Sequence, residues 1–168
     1  MLPEKDRSKL PFRKNCEGYF FDKDGNVLAK ERNGFLSFPG GGIDTGEDPR
    51  QAVIRETFEE TGAILTNVRK VKELKFVWWP GWAKTGTQKE RYKQFQGEDM
   101  HFFVGEVSKL EEPSEKEEDF WEGERLMPVA KAIRIIESGK PFSDNAKEYR
   151  TIQLKFLRKH LKNKKGRR

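Results

Sequence analysis

Residues 41–63 read GGIDTGEDPRQAVIRETFEETGA, and no other stretch so narrows what the chain can become. A glycine-rich turn runs straight into a helix that carries its own start and stop signals. Asp48 suits the N-cap, because its side-chain oxygen can accept from a free N–H of the first turn. Pro49 then falls at the first helical position, where its missing donor costs nothing. Gln51 stands where a capping-box partner would reach back, and Gly62 can close the helix. At about 100° per residue, Glu56, Glu59 and Glu60 fall within an arc of about 100°. Val53, Ile54, Thr57, Phe58 and Thr61 occupy the opposite side. The helix is expected to bury one side and project three acids from the other.

A merely solvated acidic face accounts poorly for this pattern. Glu56 and Glu60 are four residues apart, and like charges at that spacing cost roughly 0.2–0.5 kcal/mol. Only Arg55–Glu59 offers a compensating helical pair. A divalent cation reverses the balance, since hard ions prefer oxygen ligands and Mg²⁺ typically combines one or two carboxylates with waters and substrate phosphates. The acids therefore point to cations held against something more negative, such as a pyrophosphate.

The full pattern is glycine, five residues, glutamate, seven residues, Arg-Glu, two residues, Glu-Glu, one residue, glycine. It resembles the Nudix box, with Gly41, Glu47, Arg55, Glu56, Glu59, Glu60 and Gly62 in the fixed positions. Phe38-Pro39-Gly40 resembles the usual lead-in. Thr57 and Ala63 stand where larger aliphatic residues are common, a departure that bears on packing rather than chemistry. The resemblance covers 23 residues and implies an α/β fold, a Nudix-type αβα sandwich around a mixed β-sheet in one domain. It implies that Glu56, Glu59 and Glu60 ligate Mg²⁺ or Mn²⁺ together with the Gly40 carbonyl. Arg55 would orient the carboxylates, while Glu47, Gly41 and Gly62 support the loop–helix geometry. The implied reaction is attack by water on a phosphorus of a nucleoside diphosphate linked to another group. Bound metals stabilise charge on phosphoryl oxygens, and a general base completes the set. The base varies in this family, so the box does not fix it.

A chain of 168 residues suits one domain, and its 13 Phe and 4 Trp can fill a core although the hydrophobic fraction is only 34%. The single cysteine, Cys16, excludes an internal disulfide and a cysteine-rich zinc site, and it fits a reducing cytoplasm. MLPEKDRSK lacks the apolar segment of a signal peptide. No apolar run approaches the roughly 18 residues of a membrane span, so a membrane partner is not expected. Of the net charge of +6, residues 155–168 contribute eight Lys or Arg and no acid, so the remainder carries −2. The basicity thus belongs to the end of the chain. The expected organisation is an N-terminal segment at 1–14, a Nudix hydrolase domain at 15–161 and a basic tail at 162–168. That tail reads as a solvated, frayed helix end, with contact to nucleic acid as the alternative.

Along the chain, 15–21 reads as a strand, Asp24-Gly25 as a turn and 27–31 as its returning partner. Residues 34–38 lead into the glycine loop. Residues 64–79 suit one or two strands and 100–107 another. An acidic loop follows at 111–119, then a short strand at 125–128, a helix at 129–138, a break at Pro141 and an amphipathic helix at 144–163. Tyr149, Ile152, Phe156 and Leu157 form the packing stripe of that last helix.

Two further segments invite functional readings. Residues 76–99 set Trp78, Trp79 and Trp82 among Lys84, Lys89 and Arg91, a mixture suited to a base and its phosphates, since base stacking contributes roughly 1–3 kcal/mol. The alternative is a strand end with aromatics in the core and lysines in water. In the acidic loop, Glu117, Glu118 or Asp119 stands where relatives of the box often place a further carboxylate over the metals. His101 and His160 read as structural. The function expected is hydrolysis of a pyrophosphate bond in a small nucleotide. The RNA 5′ end is the alternative substrate, and an inactive nucleotide-binding module is the rival from another class. A homodimer stays open.

Overall fold

The computed structural model describes residues 6–113, 121, 123–140 and 143–165. Strand β1 (Phe12–Phe21) is the centre of the sheet. Its side chains alternate, so Tyr19 and Phe21 join one core while Cys16 and Phe20 join another. Asp22 closes the turn after it by accepting from the N–H groups of Asp24 and Asn26, both at 2.9 Å. Gly25 supplies the left-handed φ of 82° expected of Asp24-Gly25.

The returning strand divides where the sequence suggested one segment. β2 (Asn26–Leu28) pairs with β1, while β3 (Lys30–Arg32) leaves the sheet and pairs with β4 (Phe35–Ser37). β5 (Gly40–Gly42) returns to β1, setting Glu17 opposite Gly40 and Cys16 opposite Gly41. Helix α1 (Pro49–Thr61) follows. Residues 63–77 form one long strand, β6 (Ala63–Val77), with irregular register between Thr66 and Lys72. A 3₁₀ turn (Pro80–Trp82) and helix α2 (Gly86–Gln94) lead to β7 (Gly97–Leu110). β8 (Leu126–Pro128), α3 (Val129–Ser138) and α4 (Asp144–Lys165) complete the described chain.

Among the described residues the main sheet runs β6-β7-β1-β2-β8, with β5 also on β1. β1 and β7 are parallel and the other pairs are antiparallel, so the sheet is mixed. Both faces are covered, as a sheet with a buried parallel pair requires. Ala52 and Val53 of α1 pack with Cys16, Phe20, Val68 and Phe103 on one face. Val129, Ala132 and Ile136 of α3, with Ile152, Phe156 and Leu157 of α4, pack with Tyr19, Phe76, Met100 and Phe102 on the other. This is the expected αβα sandwich. Thr57 and Ala63, the two soft positions of the box, are fully buried, so smaller side chains there still fill the interface.

β1 begins at Phe12, inside the stretch 1–14 that the sequence set apart as a segment. The N-terminal residues also do more than lead in. Arg7 lies 3.3 Å over the Tyr92 ring and donates to the carbonyls of Tyr92 and Phe95, at 2.9 and 2.6 Å. At the other end, α4 continues to Lys165 with Lys162, Lys164 and Lys165 exposed, so this part of the 162–168 tail is helical. No helix among the described residues is long and apolar enough to cross a membrane.

Candidate active site

Helix α1 starts and stops where its sequence says it must. The Asp48 side chain accepts from the Gln51 N–H at 3.3 Å, and Pro49 occupies the first turn. Gly62 ends the helix at φ 74°, with its N–H bonded to the Phe58 carbonyl. A Cβ at Gly62 would collide with the Glu111 carbonyl, so this stop also depends on a close backbone crossing. Arg125 ties the same corner by donating to the Glu111 carbonyl at 2.7 Å.

With α1 fixed, Ala52, Val53, Thr57 and Thr61 are buried, while Ile54 and Phe58, expected on the same side, are half-buried, and Glu56 and Glu60 face the glycine strand β5. Gly40 N–H donates to Glu60 Oε1 at 3.3 Å. A Cβ on Gly41 would stand 2.8 Å from the Glu56 carboxylate. A larger residue there would displace the Glu56 carboxylate from its present position.

Arg55 organises the group. Its Nε and Nη2 reach the two oxygens of Glu47 at 2.8 and 2.9 Å, a bidentate pair. Its Nη1 meets Glu56 and Glu59, both at 3.1 Å, and Nη2 also reaches the Gly42 carbonyl at 3.4 Å. Hydrogen bonding to Glu47 raises the guanidinium above its ordinary range, and the same bonds hold the Glu47 carboxyl below its own. One cation thus sets the spacing of three carboxylates and ties the helix to the loop. The remaining acid, Glu60, receives the Trp121 indole N–H at 2.9 Å. Trp121 is buried and follows the acidic loop.

The donors gathered here are carboxylate oxygens beside a glycine backbone, a set suited to hard divalent cations rather than to soft or nitrogen-seeking ones. Cys16 lies next to this loop, its thiol 3.4 Å from the Gly41 carbonyl. Burial pushes the thiol up to about 12, which excludes it as a thiolate nucleophile near neutral pH.

Further charged and aromatic residues that the motif does not contain lie on the sheet beside the glycine strand. Arg13 lies beside Gly42, where a Cβ would meet its Nη2 at 2.8 Å, and its Nη1 donates to Asn15. Burial lowers its guanidinium, the like charge of Arg91 lowers it further, and Glu98 and Glu56 act against both. Glu98, opposite Arg13 in the parallel ladder, accepts from the Trp78 indole N–H at 3.3 Å. Trp78 in turn stacks on Trp82, with ring centroids 3.8 Å apart and planes within 5°.

The aromatic segment is therefore joined to the acids by an unbroken series of contacts, although it is not the open lid that its length suggests. Most of 76–99 is strand end and helix. Trp78 is buried, whereas Trp79, Trp82 and Arg91 are half-buried and Lys84 and Lys89 exposed. The core alternative thus describes Trp78, whose ring already has a stacking partner. Glu117, Glu118 and Asp119 lie outside the described residues.

Comparison with known proteins fits this geometry. The NUDIX domain family matches residues 13–150, and the chain belongs to that family. It is similar to an RNA pyrophosphohydrolase of Dinoroseobacter shibae, 35% identical over 50% of this chain and 51% of that protein. It is also similar to an RNA pyrophosphohydrolase of Gluconacetobacter diazotrophicus, 37% identical over 34% of this chain and 41% of that protein. These matches span about half or less of the relatives' length. Among solved structures, a NUDIX hydrolase from Nitrosomonas europaea superposes with a TM-score of 0.52 at 16% identity, over 82% of this chain and 86% of the other. A MutT NUDIX hydrolase from Burkholderia pseudomallei gives 0.51 at 19% identity, over 85% and 95%. At such identities the likeness concerns the fold.

Proposed function

We propose that the protein is a metal-dependent hydrolase that cleaves the pyrophosphate bond of a nucleoside diphosphate-linked substrate. The observation that carries this reading is the set Glu56, Glu59 and Glu60 on one helix, with Glu56 and Glu60 against the glycine strand and Arg55 between Glu56 and Glu59. Glu56, Glu59 and Glu60, with the Gly40 carbonyl, would hold Mg²⁺ or Mn²⁺. When bound, such ions supply charge neutralisation at phosphoryl oxygens and a more acidic water.

The chain's own residues do the rest. Arg55 keeps the carboxylates apart and oriented, with Glu47 as its anchor. The Trp121 indole fixes one oxygen of Glu60. Arg13 and Arg91 supply positive charge on the sheet side of the cleft, where a phosphate of the substrate would be steered and held. Trp79 and Trp82 form an aromatic edge beyond them for a base, with Lys84 and Lys89 at the rim. Glu117, Glu118 or Asp119 remains the candidate for an additional acid.

A free nucleotide is the favoured substrate, because the half-buried Trp79 and Trp82 stand among Lys84, Lys89 and Arg91 as a base and its phosphates would require. A second reading, the 5′ end of an RNA, is favoured by the names of the curated relatives. Both end in the same bond cleavage. The test is a panel of nucleoside triphosphates, nucleotide sugars, dinucleoside polyphosphates and a 5′-triphosphorylated RNA, each with Mg²⁺ or Mn²⁺, reading released phosphate and pyrophosphate. Turnover of free nucleotides above RNA supports the first reading, and the reverse supports the second. No turnover of any member leaves a nucleotide-binding module.

A further inference from the structure

A second group of metal-ligating side chains lies on strands β6 and β7 of the sheet, outside the box. Glu73 of β6 is directly opposite His101 of β7, and Asp99 is two residues before His101 on the same face of the strand. One ligand atom from each lies within 4.8 Å of the others. His101 Nε2 is 3.3 Å from Glu73 Oε1 and 3.4 Å from Asp99 Oδ2. The geometry of neither contact makes it a hydrogen bond. Both ring nitrogens of His101 and the Asp99 Oδ1 are buried without a hydrogen-bond partner, on side chains only 6% and 9% exposed.

Buried polar groups are ordinarily satisfied, and an exception needs a cause. The spacing supplies one. Zinc binds imidazole nitrogen and carboxylate oxygen at about 2.0–2.2 Å with tetrahedral geometry. The edges of a tetrahedron with such spokes are about 3.3–3.5 Å long. The two contacts to His101 Nε2, 3.3 and 3.4 Å, have that length. Lys70 binds the other oxygen of Glu73 at 3.0 Å, which leaves Oε1 turned toward the imidazole.

We propose that Glu73, Asp99 and His101 form a cation site for a zinc-type divalent ion, with water as its fourth ligand. A site with one imidazole and two carboxylates suits Zn²⁺, Co²⁺ or Ni²⁺ better than Mg²⁺, which wants octahedral oxygen. The ion would join the edge strand β6 to β7 just after the irregular register between Lys70 and Lys72. None of its ligands belongs to the box, so this site and the catalytic reading stand or fall separately.

The test is Co²⁺ and Zn²⁺ titration of the full chain, of Glu59→Gln/Glu60→Gln, of Glu73→Gln and of His101→Gln. Visible Co²⁺ absorption reports tetrahedral coordination, and circular dichroism checks the fold. The first two proteins are expected to bind one equivalent with the intense tetrahedral spectrum and to melt higher with Zn²⁺. His101→Gln should lose the spectrum, and Glu73→Gln should bind at least tenfold more weakly. Glu73 is half-exposed, so that variant remains informative if His101→Gln does not fold. Absence of the tetrahedral spectrum in the full chain overturns the site. So does its loss in the Glu59→Gln/Glu60→Gln variant, or its full retention in Glu73→Gln.

Discussion

Glu17→Gln should stabilise the protein, by an amount that grows as pH rises from 4.5 to about 7. Glu17 sits where β1 turns toward its packed face, with Tyr19 Oη donating to Oε2 at 2.6 Å and Gln153 Nε2 at 3.4 Å. Burial pushes its carboxyl from 4.5 up to about 7, against those two donors, and the like charge of Glu98 adds to the rise. Below the unfolded value the group is protonated in both states and contributes nothing to their difference. Between 4.5 and about 7 the unfolded chain releases its proton while the folded chain keeps it, so stability falls as pH rises. Above that window the loss is complete, at about 3 kcal/mol for a rise of this size. Glutamine cannot ionise, and it retains a carbonyl oxygen for the Tyr19 hydroxyl. The variant should match the parent near the acid end of the window and exceed it at about pH 8. For a chain of this length, 1 kcal/mol moves Tm by about 2–4 °C, so the gain is roughly 6–12 °C. Thermal unfolding by circular dichroism at about pH 5 and pH 8, in buffer containing a chelator, measures the difference. A variant that melts equally far from the parent at both pH values, or below it at pH 8, refutes the assignment.

Glu59→Gln and Glu60→Gln should each lower kcat by about 100-fold or more, a barrier change of about 2.7 kcal/mol, with unchanged circular dichroism. Near-normal rates in both would remove the metal-site reading. Arg13→Ala should raise KM about tenfold or more while Arg13→Lys recovers part of it, because the ammonium keeps the charge but not the fork. Equal KM in all three proteins would place Arg13 outside the substrate's reach. Trp78→Ala should cost roughly 3–5 kcal/mol of stability as a buried aromatic, whereas Trp79→Ala should act mainly on KM, so Tm and KM measured together on both variants separate core from cleft. Removing residues 162–168 should leave hydrolysis of a free nucleotide unchanged, since the described lysines there are exposed. A lost dependence of RNA binding on salt in the same truncation would identify the tail as a phosphate contact.

What the sequence made legible was local. The N-cap at Asp48, the stop at Gly62 and the arc of acids on α1 each depend on residues within a few positions of one another, and each is where periodicity put it. Helix α3 likewise falls on 129–138 because its apolar spacing and its flanks agree. The split between β2 and β3 was hidden because the pairing partner of Lys30–Arg32 is β4, a short strand whose existence depends on a left-handed Asn33-Gly34 turn. The aromatic segment misled for a related reason. Its length and its lysines suggested an open loop, but Thr85 and Gln88 form a capping box that starts α2, and Arg7 clasps its end. A residue 85 positions earlier decides the shape of that segment.

The remaining parts of the site depend on one long-range event, the parallel pairing of β1 with β7. That ladder puts Glu98 beside Arg13 and Phe102 beside Glu17. It also puts His101 beside Cys16, two residues whose sequence separation gives no hint of contact. Through Arg13 and Glu98 the charge beside Gly42 is linked to the Trp78–Trp82 stack. The faces of the same two strands divide the labour. One carries Arg13, Asn15 and Glu17 toward the cleft and the aromatic core, and the other carries Cys16, Asp99 and His101 toward α1 and the edge strand. A shift of one residue in the pairing would turn the slipping strand over relative to its neighbour. If β7 slipped against β1, Asp99 and His101 would turn toward the aromatic core while Met100 and Phe102 left it. The Glu73–Asp99–His101 group would then be lost while the box itself stayed intact. The box therefore specifies the acidic helix and its glycine loop, and the β1–β7 register specifies what surrounds them.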